Sequence, residues 1–208
     1  GNQPALALGD VPGWWSDLEQ REGMAARALP LLQASGIELT EIEAAGSPRV
    51  LVLRETDAGQ MSRFVPLAQP WDRVIVANPH GITCNGCGFI NTPRATLTTG
   101  KPIIEGQKLD RFQVDQGSVA IEGAGLNANN VDRFEIITRS AKINAEIQAQ
   151  NLTIVAGRND VNAQTLNATA RADDGSAKPQ LAIDSSALGG MYAGAIKLVG
   201  TEAGVGVK

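Results

Sequence analysis

Two stretches of the sequence, Gly117–Asn130 (GSVAIEGAGLNANN) and Arg139–Leu152 (RSAKINAEIQAQNL), place similar side chains 22 residues apart. Each carries an alternating apolar pair followed by an asparagine-bearing turn; the pairs are Val119 with Ile121 and Ala141 with Ile143. Repeats of about 20 to 30 residues are typical of a β-solenoid, in which each coil buries its inward side chains against the next. The period therefore favours a stacked β-helix, with a β-sandwich whose asparagines lie in exposed turns as the alternative.

The chain from Trp71 onward supports an all-β reading, because short β-type runs alternate with Gly, Asn and Asp and no helical periodicity is visible. The runs are RVIVA, RATLTT, RFQVD, SVAIEG, RFEIITR, AKINAEI, NLTIVAG, LAIDSSA, AIKLVG and VGV. Asparagine side chains can bond the backbone at tight corners and stack from coil to coil. The candidates are Asn127, Asn129, Asn130, Asn144, Asn151, Asn159, Asn162 and Asn167.

Residues 1–70 differ in character and predict an α/β cap segment, which places a domain boundary before a β-domain at 71–208. Ser16 and Glu19 form a capping-box pattern, which predicts a helix over about 16–29. IELTEIEA and RVLVLRET then read as strands on either side of a Gly-Ser-Pro turn.

Composition excludes several classes of function. The 208 residues carry 18 basic and 22 acidic side chains, a formal net charge of −4, so no broad positive surface can neutralise phosphates or anionic lipid. No apolar run approaches the roughly 18 residues of a membrane span. The start GNQPALALGDVPG lacks the pattern of a secretory signal, so we expect a soluble chain whose signal, if it is secreted, has been removed or lies outside it.

The stretch Asn78–Phe89 (NPHGITCNGCGF) holds the only histidine and both cysteines of the chain. A redox C-x-x-C needs a helix N-terminus that the following residues do not offer. A zinc site on His80, Cys84 and Cys87 lacks a fourth Cys or His ligand. A small disulfide that stiffens a turn is the favoured reading, and we predict neither a bound metal nor a cofactor.

Candidate catalytic groups are weak, and we expect no enzyme activity in this chain. Ser185-Ser186 has no second histidine, and Asp173-Asp174 lies in a polar loop. A sugar-cleaving groove would need paired acids on one face of the solenoid. The pairs to inspect are Asp115 with Glu122 and Asp115 with Glu135.

Four sequence blocks resemble the secretion domain of two-partner-secretion exoproteins, a family of filamentous haemagglutinin-type adhesins, contact-dependent inhibition toxins and haemolysins of Gram-negative bacteria. The blocks are RVIVANPHGITCNGCGFINTPRATLTTGKP, VDQGSVAIEGAGLNA, NLTIVAGRNDV and ALGGMYAGAIKLVGTEAGVGV, and the resemblance spans about residues 71–208. It implies a right-handed parallel β-helix that is secreted through the periplasm to the cell surface. The implied role is targeting: the POTRA domains of a dedicated TpsB-type outer-membrane β-barrel transporter would recognise the domain, which then nucleates folding of the β-helix outside the cell.

The resemblance also assigns residues. The family's Asn-Pro-Asn-Gly-Ile signature falls on Asn78, Pro79, His80, Gly81 and Ile82, with His80 in place of the usual asparagine.

Asn91 completes the predicted recognition surface. Cys84 and Cys87 match the C-x-x-C of the members that form a disulfide there, which agrees with an oxidising periplasm. Residues 1–70 lack the family's usual capping strands and its Asn-Pro-Asn-Leu block.

Direct adhesion to a host surface or matrix is the second functional hypothesis, and a carbohydrate-active β-helix is the third. Contacts with host or neighbouring bacterial cells would belong to regions downstream.

Overall fold

The computed structural model describes residues 37–43, 46, 48–55, 71–89, 92–185 and 190–208, and these contain sixteen strands and no helix. The strands are β1 Ile37–Ile42, β2 Val50–Glu55, β3 Arg73–Ala77, β4 Ile82–Gly88, β5 Arg94–Thr98, β6 Lys101–Glu105, β7 Lys108–Val114, β8 Ser118–Ala128, β9 Arg133–Thr138, β10 Ser140–Ile143, β11 Glu146–Ala156, β12 Asn159–Asn162, β13 Ala168–Ala170, β14 Leu181–Asp184, β15 Gly190–Gly200 and β16 Gly206–Val207.

Parallel pairing wraps the chain into coils with three faces, which confirms the β-helix. Face A contains β2, β3, β5, β9 and the second halves of β11 and β15. Face B contains the first halves of β4 and β8, then β10, β14 and β16. Face C contains the ends of β4 and β8 and the first halves of β11 and β15. From β3 to the first half of β15, each coil adds one strand segment to faces A, B and C in turn.

The 22-residue repeat predicted from the sequence is one complete coil. On face B, Ala141 pairs with Val119 and Ile143 with Ile121, in parallel register. All four side chains are buried. The period is visible here because no inserted strand interrupts this coil.

Two insertions leave the solenoid at the same corner, between faces A and B. The first carries β6 and β7 and the second carries β12 and β13. Together they form a separate four-stranded sheet in the order β13-β12-β7-β6, in which β7 and β12 pair antiparallel. This inserted sheet spans the intervening coil, whose face A strand is β9.

Face A is consequently buried on both sides. Its inward side chains join the main core within the coils, with Phe134 and Ile136 among them. Its outward apolar side chains, such as Ile75 and Ile137, pack in a second cluster with Phe112 of the inserted sheet. Burial on both surfaces explains why these strands read as continuous apolar runs.

Asparagines at coil corners bond the backbone, as predicted for several of them. Asn127 Oδ1 accepts from the Asn129 N–H at 3.0 Å. Asn151 Nδ2 donates to the Asp132 carbonyl at 2.8 Å, across to the preceding coil. Asn162 Oδ1 accepts from two backbone N–H groups in the turn after β12.

Other expectations have mixed outcomes. Both strands predicted before residue 70 are present as β1 and β2. The helix predicted over about 16–29 lies outside the described residues, and the domain boundary near residue 70 stays a prediction; β2 pairs in parallel with β3 across it. The run AKINAEI is not one strand, because the chain turns from face B to face C after Ile143.

Candidate functional site

The signature turn is organised by the buried side chain of Asn78. Its Oδ1 accepts from the His80 N–H at 2.9 Å, and its backbone carbonyl accepts from the Gly81 N–H at 3.2 Å. Its Nδ2 donates to Glu55 Oε2 at 3.0 Å, which ties the turn to β2. Because one side chain satisfies several groups, Asn78 holds the turn in a single conformation.

The signature turn uses only the backbone of His80. The imidazole is exposed, and the N–H that Asn78 binds belongs to any residue except proline. Replacement of the usual asparagine by histidine therefore leaves the geometry of the turn unchanged.

The signature turn also packs against the next coil. Gln116 Nε2 donates to the Pro79 carbonyl at 3.1 Å. Gly117 has φ 90°, and a Cβ there would lie 2.7 Å from the same carbonyl oxygen. Only glycine allows this close approach, so the motif depends on Gly117 as well as on its own five residues.

Cys84 and Cys87 form a disulfide, and both side chains are buried in the main core. The predicted disulfide is confirmed, and it lies within β4, where the pairing with β8 shifts register between Asn85 and Cys87. The bridge therefore spans a strand irregularity at the corner between faces B and C. Since the sulfurs are bonded to each other, neither is a free thiolate for a metal or a redox partner.

Strand β4 forms the edge of faces B and C at the signature end. Among the described strands it pairs only with β8, so its other side faces no strand of the described chain. The strand sequence ITCNGCG contains no charged side chain. An uncharged edge directly after the signature turn is the most distinctive surface at this end of the molecule.

The opposite end leaves inward-facing side chains uncovered. Ile196 pairs with Leu152, Leu198 with Ile154, and Val207 with Ile183, so all three lie in columns that are buried in earlier coils. Yet Ile196 is 44%, Leu198 38% and Val207 49% exposed. This end has the shape and register to receive another coil.

Two of the carboxylates considered for catalysis, Glu135 and Asp115, serve as ion-pair partners. Glu135 is buried and binds Arg73 at 3.0 Å and Arg94 at 2.7 Å, while Thr96 donates to it at 2.9 Å. Burial lowers the pKa of Arg73 to about 10, although the Glu135 carboxylate opposes this shift, so the guanidinium stays charged near neutral pH. We call these four residues the Glu135 network; it lies between face A and the inserted sheet.

Asp115 also forms ion pairs. It accepts from Arg158 and from Arg171, each at 2.8 Å. It thus lies in a different charge cluster from Glu135, on the inserted-sheet side of the corner between faces A and B. Glu122 is exposed beside face C.

The remaining catalytic candidates also have structural partners. Ser185 Oγ donates to the Lys208 carbonyl at 3.0 Å, whereas Ser186 lies outside the described residues. Hydrogen bonds from Ser176 lower the pKa of Asp174. Asp173 caps the next turn through the Gly175 N–H at 2.9 Å.

Among the described residues, no group of three or more His, Cys, Asp or Glu side chains could hold a metal ion. Nor does that part of the chain contain a helix long and apolar enough to cross a membrane.

Sequence reasoning missed Gly117, the β4 edge that no second described strand covers, and the Glu135 network. Gly117 lies in the repeat, but its close approach to Pro79 becomes visible only when the coils are stacked. The recognition residue Asn91 lies outside the described residues.

A parallel β-helix with an Asn78 turn, a buried C-x-x-C disulfide and an open end defines a secretion-type solenoid domain. Comparison with known proteins agrees: residues 72–208 match the family described as the TPS secretion domain. The chain belongs to the TPS secretion domain family, whose members are parts of secreted exoproteins.

Individual relatives support the assignment. The chain is 55% identical over 135 residues, 64% of its length, to the 16S rRNA endonuclease CdiA of Enterobacter cloacae, and this covers 4% of that protein. It is 44% identical over 167 residues, 78% of its length, to a tRNA nuclease CdiA of Escherichia coli, covering 5% of that protein. The crystal structure of the filamentous hemagglutinin secretion domain has the same fold, with a TM-score of 0.62, 24% identity and coverage of 83% and 81% of the two chains.

The matched region is a small part of these relatives. The chain spans about one twentieth of the length of the CdiA proteins it matches. The nuclease names describe those whole proteins.

Proposed function

We propose that the Asn78 turn and the edge of β4 that no other described strand covers form the surface that the POTRA domains of a TpsB-type outer-membrane transporter recognise. The observation that carries this proposal is the edge itself: an uncharged strand, rigid because of its disulfide, next to the signature turn. Addition of a partner strand to such an edge uses backbone hydrogen bonds and needs little charge.

The chemistry of the surface suits the compartment. A disulfide forms and persists in the periplasm, where the domain would meet its transporter. The bridge keeps the irregular part of β4 in one shape before and during recognition. Asn91 belongs to the proposed surface through its place in the sequence.

The second part of the proposal concerns the open end. Once outside the cell, the uncovered columns at Ile196, Leu198 and Val207 would template the next coil, since each inward side chain gains a covering neighbour. The domain itself acts without catalysis, and contacts with host or neighbouring cells fall to downstream regions of a longer exoprotein.

Binding to isolated POTRA domains of the cognate transporter, measured by biolayer interferometry, tests the recognition surface. Thr83→Lys puts a charge on the edge strand, and Ala120→Lys puts the same charge at its register partner on β8, which is paired on both sides. We expect Thr83→Lys to weaken binding about tenfold or more and Ala120→Lys to have the smaller effect.

Variants of the turn complete the test. Asn78→Ala removes the side chain that orders the turn, and we expect weaker binding, whereas His80→Asn should bind as the parent does. Thermal melting of each variant separates loss of the surface from loss of the fold. Equal binding by the parent, Thr83→Lys and Asn78→Ala, with all three folded, would contradict the proposed surface.

A further inference from the structure

The outward side of face C carries a ladder of uncharged side chains. Gly88, Asn127, Gln148 and Tyr192 pair in register across four successive strands, so their side-chain positions form one column. Neighbouring strands lie about 4.8 Å apart, which gives the column a regular spacing along the solenoid axis. We call these residues the face C ladder.

Internal hydrogen bonds hold the amides of the ladder and of its flank in fixed orientations. Asn127 Oδ1 accepts from the Asn129 N–H at 3.0 Å, and Asn129 Nδ2 donates to Gln148 Oε1 at 3.1 Å. Gln150 Nε2 donates to the Asn129 carbonyl at 2.7 Å. The bonds of Asn127 and Asn129 each use one side of the amide and leave the other polar atom for a ligand. The Gln148 amide uses both of its polar atoms, since Nε2 donates to Glu146, but it keeps one N–H and one oxygen lone pair, so donors and acceptors are presented in a prepared arrangement.

A cavity lies beside the lower rungs of the ladder. Its volume is about 580 Å³, and it is lined by the β4 backbone around Gly86 and Gly88 together with Asn127, Asn129 and Asn130. Amide groups thus surround a concave surface large enough for a small polar ligand.

An aromatic ring ends the ladder. Tyr192 is 61% exposed, and its ring lies over Gly190, where a Cβ would approach Tyr192 Cε2 to 2.9 Å. The ring is directed away from the core and would remain on the surface if another coil covered the open end. An exposed tyrosine ring offers an apolar face with a polar tip.

The charge of this surface selects the class of ligand. No member of the ladder is charged, and the flanking carboxylate of Glu146 accepts from Gln148 Nε2. Anionic ligands therefore find no counter-charge along the column, and the Glu146 carboxylate at its flank repels them. Planar amides and an aromatic ring suit a ligand with many hydroxyl groups and apolar C–H faces.

We propose that the face C ladder binds a neutral glycan chain that runs along the solenoid axis, with one sugar ring on Tyr192 and hydroxyl groups on the amides of Asn127 and Gln148. The cavity beside Asn129 and Asn130 accommodates the other end of the chain. This inference does not depend on recognition by the transporter, because it uses the outward face of the strands and not the backbone edge of β4.

An array of neutral and acidic oligosaccharides, probed with the 208-residue chain, tests the proposal. Affinity electrophoresis in gels containing glucomannan, dextran, galactan or hydroxyethylcellulose, with alginate as the acidic comparison, then gives affinities. We expect binding to at least one neutral glycan and none to alginate. Tyr192→Ala and Gln148→Ala should each weaken this binding about tenfold, and Tyr192→Phe should keep most of it.

The matched control is Asn167→Ala, an exposed asparagine outside face C, which should bind as the parent does. Tyr192 and Gln148 contribute little to the core, and melting temperatures near that of the parent confirm that the variants are folded. Absence of binding to every neutral glycan, binding to acidic glycans alone, or binding that Tyr192→Ala and Gln148→Ala leave unchanged would each overturn the proposal.

Discussion

The coil that contains β9 and the last coil, which contains the second half of β15, have equivalent positions on face A in very different surroundings. Ile136 pairs with Ile154, which pairs with Leu198, so the three side chains occupy one inward column. Ile136 is fully buried, whereas Leu198 is 38% exposed. Burial in this solenoid is therefore a property that neighbouring coils confer, and the same inward position contributes different amounts to stability along the axis.

The outward column of face A beside it should show the largest difference in the effect of a substitution on the free energy of unfolding. Glu135 of β9 and Lys197 of β15 lie in one register column through Thr153. Glu135→Gln leaves the buried Arg73 without its counter-charge, and we expect the free energy of unfolding to fall by about 3 to 5 kcal/mol. Lys197→Gln, at an exposed position, should change it by less than about 0.5 kcal/mol. Urea denaturation measures both, and equal effects would refute the role of the Glu135 network.

The inward column supplies the next comparison. Ile136→Ala should cost about 2 to 5 kcal/mol, because it removes buried methyl groups and leaves a cavity. Leu198→Ala should cost about 1 kcal/mol or less, since solvent already reaches this side chain. Urea denaturation of the two variants tests the contrast. Equal losses of stability in the two variants would contradict the expected contrast between the buried and the open coil.

A longer chain tests whether the low cost expected for Leu198→Ala is due to the open end. In a protein extended by the next natural coil, Leu198 becomes covered, and we expect the cost of Leu198→Ala to approach that of Ile136→Ala. An unchanged, small cost in the extended chain would show that the open end does not receive the next coil. Denaturation curves of the two lengths, each with and without the substitution, provide the measurement.

At the signature end, the disulfide should have an intermediate effect. Replacing both cysteines by serine removes a bridge that closes a very short loop, and the chain-entropy estimate for this loss is about 2 kcal/mol. Two hydroxyl groups in the core add to the cost. Reduction of the parent by dithiothreitol, followed by denaturation, isolates the contribution of the bridge from that of the serines. No change in stability on reduction would contradict a structural role.

The smallest effect is expected at the residue that departs from the signature. His80→Asn should change the free energy of unfolding by less than about 0.5 kcal/mol, because the turn uses only the backbone N–H of this residue. His80→Pro is the matched variant: it removes that N–H and should lower stability measurably. Thermal unfolding of the two variants distinguishes the backbone from the side chain.

The sequence predicts the solenoid where the repeat is uninterrupted, and Val119 and Ala141 demonstrate this. It does not predict the inserted sheet, because β6 is short, contains Pro102 and follows β5 after a two-residue gap. The insertions also lengthen two coils and so hide the period elsewhere.

In the candidate site, too, some residues could be predicted from the sequence and others could not. The signature residues and the disulfide follow from sequence patterns, since they are local in the chain. Gly117 and Glu135 could not be found in this way, because their roles depend on contacts with Pro79 and Arg73 in other coils. Features that depend on residues close together in the chain can be predicted from the sequence. Features that depend on contacts between coils can be predicted only when the register of the strands is known.

The hairpin of β6 and β7 ends in Gly106 and Gln107, both exposed and both with positive φ. It leaves and rejoins the solenoid at one corner, so residues added at its tip would shift no coil out of register. Foreign peptides grafted between Gly106 and Gln107 would travel with the domain, which makes this hairpin a natural attachment point for displaying epitopes or affinity tags on the bacterial surface.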